Sequence, residues 1–242
     1  MHNLTNAQLE GFRRDGFVVL RGALDGEALG AEVSAALADG SHGAFGASAG
    51  EGGRFLPMMC ERTPTSLALL HALAPLAARL LDAPVLPVRA KGVLYFGATG
   101  WHRDSERDLP SVGLAAYLEP LDASNGALRV RPGSHVNRID DLAERVVRTN
   151  PGDLIAFDEH LLHASAGGRD RRQWRVDFIA DPAGAAAEAS AREYYASLFA
   201  AGWEGGYDAA RYPSYGPHFC ASAQSWAARL GELGVLAAAA GR

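Results

Sequence analysis

The chain has 242 residues, 48% of them hydrophobic and 21% charged, with a formal net charge of −5. That length suffices for one sizeable core, and the acidic balance speaks against nucleic acid or an acidic membrane surface as the main partner. Cys60 and Cys220 are too few for a disulfide framework and fit no zinc spacing, so two reduced thiols in a cytoplasmic protein are expected.

The N-terminus, Met1-His2-Asn3-Leu4-Thr5, has no basic segment leading into an apolar one, so no signal peptide is expected. No run of about 18 apolar residues reads as a membrane span. Thr5 with Gln8 predicts a capping box opening a helix that buries Leu9 and Phe12 and stops near Asp15-Gly16. Phe17-Val18-Val19-Leu20 is a short apolar strand. Asp25 caps a second helix running to about Ala38. The Gly/Ser/Ala-rich stretch Gly40 to Gly53 predicts a loop. Arg54 to Arg62 follows as an irregular core strand, a wall of a substrate cavity or a lid over it. Ser66 to Leu81 is a helix, which Pro75 would kink or split.

From Val85 the texture changes. Short apolar or alternating runs follow one another, punctuated by Gly, Pro, Asn and Asp: Val85 to Phe96, Val112 to Leu118, Ala127 to Val130, Asp153 to Phe157 and Arg172 to Ile179. This pattern predicts an antiparallel β sandwich or barrel. Helical patterns return at Ala191 to Ala201 and Ala221 to Ala239, around an aromatic, Gly/Pro-rich link from Tyr207 to Phe219. The expected organisation is one domain over residues 1–242: a helical part to about 82, a β core over about 83–181, and a helical part from about 182.

Chemistry concentrates in the β region. His102 and Asp104, two apart on extended backbone, point to one face. With one His from a distant strand they would form a facial triad, which holds Fe(II) on one side and leaves the other open. His160 and His163 both follow a buried strand and are candidates for that third ligand. His135, at a strand end after Pro132-Gly133-Ser134, reads as structural or surface. Several arginines enter the apolar strand from Arg169 to Phe178, and an Arg inside a β core needs an anion to pair with.

The order of these stretches resembles the phytanoyl-CoA dioxygenase family. It comprises Asp15-Gly16-Phe17-Val18-Val19-Leu20, His102-Arg103-Asp104, Asn125-Gly126-Ala127-Leu128 with Pro132-Gly133-Ser134-His135, then Gly152-Asp153, His163-Ala164-Ser165 and a following Arg. The resemblance implies a mainly β fold with flanking helices (α+β), built on a double-stranded β-helix (jelly-roll, cupin-like) core. It implies an enzyme, an Fe(II)- and 2-oxoglutarate-dependent dioxygenase (an oxidoreductase, most simply a hydroxylase) that uses O2. It implies His102, Asp104 and His163 as metal ligands, and selects His163 because the family's distal His precedes a small residue and a Ser. Ser165 matches a position that contacts 2-oxoglutarate. Asp104 speaks against halogenating relatives, which lack a carboxylate there.

The cosubstrate arginine is where the chain departs from the pattern, because the usual position is Trp174. Arg172 or Arg175 would replace it. Their opposite strand parity lets only one face the site, and paired Arg171-Arg172 after Gly167-Gly168 favours Arg172. Lys91, the only Lys, shares a strand face with Tyr95, and both are candidates to reach the 2-oxoglutarate. The substrate would be a small molecule, with bacterial specialised metabolism suggested by the Arg-, Ala- and Gly-rich composition. Its walls would come from the 40–53 loop, residues 54–62 and the 207–219 link. The competing readings are a cupin-like metal enzyme without 2-oxoglutarate and a non-catalytic binding protein on the same fold.

Overall fold

The computed structural model of the chain describes residues 4–38, 43–45, 52–59, 62–137, 139–168, 170–198 and 224–235. Most of the 40–53 loop, the 207–219 link, Cys60 and Cys220 lie outside them.

Helix α1 (Asn6–Asp15) begins at Thr5, whose hydroxyl accepts from Gln8 N while the Gln8 side chain accepts from Thr5 N. Both halves of the predicted capping box are therefore formed. The helix ends at Gly16 (φ 80°), which turns the chain into β1 (Phe17–Leu20). Asp25 accepts from Glu27 N and Ala28 N and opens α2 (Gly26–Ala38). The short strands β2 (Gly43–Phe45) and β3 (Gly53–Pro57) pair with each other. Helix α3 (Pro64–Leu81) starts two residues before the predicted point, where the Glu32 carboxylate of α2 accepts from Thr65 N and Ser66 N. It runs unbroken through Pro75. Helix α3 is long and apolar enough to cross a membrane, but Leu70, Leu73, Ala77 and Leu80 are buried in the core of this fold.

The β region holds β4 (Val85–Tyr95), β5 (Thr99–His102), β6 (Ser111–Tyr117), β7 (Leu128–Val130), β8 (Arg145–Val147), β9 (Leu154–Asp158), β10 (His163–Ser165) and β11 (Arg171–Ala180). Helix α4 (Ser134–Asn137) sits between β7 and β8. One sheet has the order β1-β9-β6-β11-β4-β3-β2 and the other β5-β10-β7-β8, all antiparallel. This is the expected jelly roll with flanking helices. The strands β5, β8 and β10 have no run long enough to be read from sequence.

Strand β11 divides the molecule by parity. Trp174, Val176 and Phe178 join α2 and α3 in the larger apolar cluster, with Leu29, Val33 and Leu70. Each such fully buried side chain contributes ~2 kcal/mol. Trp174 also donates to Ser66 Oγ at 2.7 Å. Its position is therefore a packing position on the helix side. Arg171, Gln173 and Arg175 alternate to the interior, toward the four-stranded sheet. Helices α5 (Ala185–Leu198) and α6 (Gln224–Glu232) follow β11, and Trp226 of α6 stacks on His71 of α3 with ring centroids 5.1 Å apart.

Candidate functional site

Between the sheets lies a cavity of about 420 Å³. His163 on β10 stands directly opposite His102 on β5 in the strand register, with ring centroids 4.3 Å apart. Asp104 lies past the end of β5, off the strand where the two-residue spacing had placed it. There its backbone N donates to Glu159 O at 3.0 Å. The ligand atoms of His102, Asp104 and His163 all lie within 4.8 Å of one another.

Each imidazole is oriented by its other nitrogen. His102 Nδ1 is 2.8 Å from Gly100 O and His163 Nδ1 is 2.9 Å from Leu161 O. The backbone carbonyl can only accept, so Nδ1 carries the proton and Nε2 presents its lone pair inward. His102 Nε2 is 3.5 Å from Asp104 Oδ1, and His163 Nε2 is 3.4 Å from Asp104 Oδ2. Burial pushes the His163 pKa down to about 4, against the pull of the Asp104 charge, so this ring is neutral and ready to bind a metal. At His102 burial also opposes the charged form, but the hydrogen bond and charge of Asp104 outweigh it and raise the pKa. Burial would raise the Asp104 pKa, yet the Arg175 guanidinium and the two imidazoles hold it well below the ordinary carboxylate range. Two neutral-capable imidazoles and one ionised carboxylate on one side of an open cavity suit Fe(II). The residues present fit that metal.

The arginines resolve differently from the sequence expectation. Arg172 points away from the cavity. Its Nε donates to Glu119 Oε1 at 2.6 Å and its Nη1 to Ser34 Oγ of α2. The lean toward Arg172 fails because β11 enters its pairing at Arg171↔Tyr95, which sends the even positions to the helices. Arg175 does line the cavity, but its three nitrogens are directed at Asp104 Oδ2 (2.6 Å), Glu159 Oε1 (2.7 Å) and Asp177 Oδ1. Arg171, weighed for no role in the sequence, occupies the other end. It is 1% exposed and donates to Ser165 Oγ at 2.8 Å and Gly97 O at 2.7 Å. Its guanidinium carbon lies 5.5 Å from the Tyr95 ring centroid. Ser165 Oγ is in turn 2.8 Å from Thr99 Oγ1. Lys91 and Tyr95 also line the cavity, on the β4 wall.

His160 is placed outside the cavity, bonded to Asp158 Oδ1 at 2.8 Å and Arg107 O at 2.7 Å. His135 contacts Arg13 O at 3.3 Å, a structural role as expected. Residues 54–59 form β3 and a buried extension rather than a free lid, and Gly52 beside them lines the cavity. The sequence reading missed Glu159 and Asp177, which hold Arg175, and Tyr194, which holds Glu159. The signal available was parity: Glu159 continues the inward series Ile155 and Phe157, and Asp177 follows Arg175 by two.

The family model described as "Phytanoyl-CoA dioxygenase (PhyH)" matches residues 12–173. No curated protein matches the chain. Among solved structures, AviO1 from Streptomyces viridochromogenes Tue57 is 25% identical with a TM-score of 0.60, over 77% of this chain and 100% of that one. The nogalamycin-biosynthesis epimerase SnoN, described as non-heme and alpha-ketoglutarate-dependent, is 18% identical with a TM-score of 0.64, over 73% and 82%. EctD from S. alaskensis is 23% identical with a TM-score of 0.60, over 74% and 78%.

Proposed function

The chain belongs to the phytanoyl-CoA dioxygenase (PhyH) family, and we propose that it hydroxylates a C–H bond of a small molecule in bacterial specialised metabolism. Its cofactors are those of the family: Fe(II), 2-oxoglutarate as cosubstrate, and O2. The observation that carries the reading is the convergence of His102, Asp104 and His163 on one point of the cavity, with both imidazole Nε2 atoms turned inward.

When bound, iron with 2-oxoglutarate and O2 supplies the oxidising power. The chain supplies the rest. His102, Asp104 and His163 would hold the metal. Arg171 would offer a positive charge to the far carboxylate of the cosubstrate, with Ser165 and Thr99 beside it as hydroxyl partners. Lys91 and Tyr95 give the same region a polar wall. Phe157, Leu128 and Ala115 line the cavity with apolar surface and exclude water from the reacting centre. The buried Arg171 favours 2-oxoglutarate dependence over a cupin-like enzyme that needs no such anchor. The fold by itself leaves the outcome of oxidation open, since SnoN is described as an epimerase. Hydroxylation is the simplest outcome that the retained carboxylate ligand allows. The chain is proposed to act as one domain over residues 1–242.

Anaerobic titration with Fe(II) and 2-oxoglutarate tests the reading. A visible metal-to-cosubstrate absorption band is expected in wild type and not in His163→Ala. Absence of the band in folded wild type, or 2-oxoglutarate consumption by His163→Ala, overturns it.

A further inference from the structure

A buried chain of hydrogen bonds runs from helix α5 to the proposed metal ligand Asp104. Tyr194 of α5 donates its hydroxyl to Glu159 Oε2 at 3.1 Å. Glu159 Oε1 accepts from Arg175 Nη2 at 2.7 Å, and Arg175 Nη1 donates to Asp104 Oδ2 at 2.6 Å. Asp177 holds the remaining Arg175 nitrogen and is itself fixed by Arg89 Nε at 2.6 Å. All these groups except Asp104 are buried to within a few per cent of full exclusion of solvent: Arg89 4%, Glu159 0%, Arg175 4%, Asp177 0%, Tyr194 3%. Arg175, Asp177 and Tyr194 lie beyond the span matched by the family model, which ends at residue 173.

We propose that Arg175 and Tyr194 are positioning residues for the metal centre, through which the C-terminal helix α5 sets the orientation of Asp104. The inference rests on His102, Asp104 and His163 being the metal ligands. The physical reason lies in how a carboxylate binds. Either oxygen, or both, can coordinate a cation. Both oxygens face the imidazoles, Oδ2 at 3.4 Å from His163 Nε2 and Oδ1 at 3.5 Å from His102 Nε2, and Arg175 donates to Oδ2 alone, which favours Oδ1 for the metal. A one-oxygen contact keeps positions free for a two-pronged cosubstrate and for O2, which two-oxygen binding would crowd. A lone Arg would swing. Here its fork is gripped by Glu159 and Asp177, and Gly113 leaves room for it, since a Cβ there would come within 2.9 Å of Arg175 Nη2. Glu159 is gripped in turn by Tyr194, and its backbone oxygen also accepts from Asp104 N and Ser105 N. Glu159 therefore supports Asp104 twice, by its side chain through Arg175 and by its backbone oxygen. In the metal-free chain the same guanidinium supplies the positive charge that half-buried Asp104 requires.

The test uses the metal-free full chain and Co(II) alone, titrated by its visible ligand-field absorption, with circular dichroism and thermal melting to establish folding. Arg175→Met is expected to weaken Co(II) binding by about tenfold or more, the usual consequence of losing a partner of a metal ligand, and to change the shape of the spectrum. Tyr194→Phe is expected to weaken binding less and to shift the spectrum in the same direction. Its effect is expected to vanish in the Arg175→Met background, because the relay is then already cut. Arg175→Lys, which keeps the charge but cannot fork, is expected to fall between wild type and Arg175→Met. Wild-type affinity and spectrum in folded Tyr194→Phe and Arg175→Met overturn the proposal, as does full additivity of the two substitutions. If Arg175→Met does not fold, Tyr194→Phe and Glu159→Gln decide: unchanged affinity and spectrum in both overturn it. A wild type that binds no Co(II) overturns the ligand assignment, and this inference with it.

Discussion

Arg171 donates to Ser165 Oγ at 2.8 Å, joining the first residue of β11 to the last residue of β10 at one end of the cavity. The contact places a buried guanidinium two residues along the strand from the proposed metal ligand His163. Arg172, its neighbour, is turned to Glu119 and Ser34 instead.

The pair makes a sharp kinetic contrast. Arg171→Met is expected to raise the KM for 2-oxoglutarate by about tenfold to a hundredfold, the scale of losing hydrogen bonds to a charged group. Arg172→Met is expected to leave that KM within about twofold and to lower stability modestly through Glu119. Steady-state 2-oxoglutarate consumption measures both, and the reverse ranking would reassign the anchor.

Gly126 has φ 98°, and a Cβ there would lie 2.7 Å from Gly167 O and 2.8 Å from Arg171 Nη1. Gly126→Ala therefore combines backbone strain with a collision against the anchor. A loss of about 1–3 kcal/mol in urea unfolding is expected, together with a raised KM for 2-oxoglutarate. A stable variant with unchanged KM would show that the turn is not what seats Arg171.

Glu159 has its pKa pushed up to about 7 by burial first and then by the Asp177 charge, against the pull of Arg175. A carboxyl raised above its unfolded value of 4.5 contributes most to stability while protonated, below 4.5. That contribution is lost as pH rises through about 7. Glu159→Gln stays neutral throughout, so its urea midpoint is expected to fall less than that of wild type between pH 5 and pH 8. Parallel pH dependences would place the charge elsewhere in the cluster.

Metal removal is expected to leave the chain folded, because the Arg175 guanidinium donates to Asp104 and balances its charge. Adding Mn(II) to the metal-free chain is expected to raise the Tm in a concentration-dependent way, as for any ligand that binds only the folded state. His163→Ala should lose most of that shift. Unfolding on chelation would contradict the role of Arg175 as the charge partner of Asp104.

Much of the fold was legible because its signals are local. The Thr5–Gln8 box, the Gly16 stop and the Asp25 cap each depend on residues within one helical turn, and each formed as predicted. The long strands β4, β6, β9 and β11 announced themselves by apolar runs between turn residues. Strands β5 and β10 did not, since three or four residues carry no period, although they bear His102 and His163.

The sequence by itself determined the chemical kinds at the centre: His102 with Asp104 two residues on, a later His before Ala164-Ser165, and arginines entering an inward-alternating strand. Only the tertiary structure decided which of them meet. Parity makes Arg172 and Arg175 exclusive alternatives, but strand register decides which parity faces in, and register is a property of pairing between strands. The Gly167-Gly168 turn, at φ 77° and 126°, packs against Gly97, Ala98 and Asn125 and starts β11 at Arg171↔Tyr95. That geometry brings in Arg171 as the proposed anchor. It also leaves Arg175 to the carboxylates of Asp104, Glu159 and Asp177, which come from three separate stretches of chain and meet only when the sheets close.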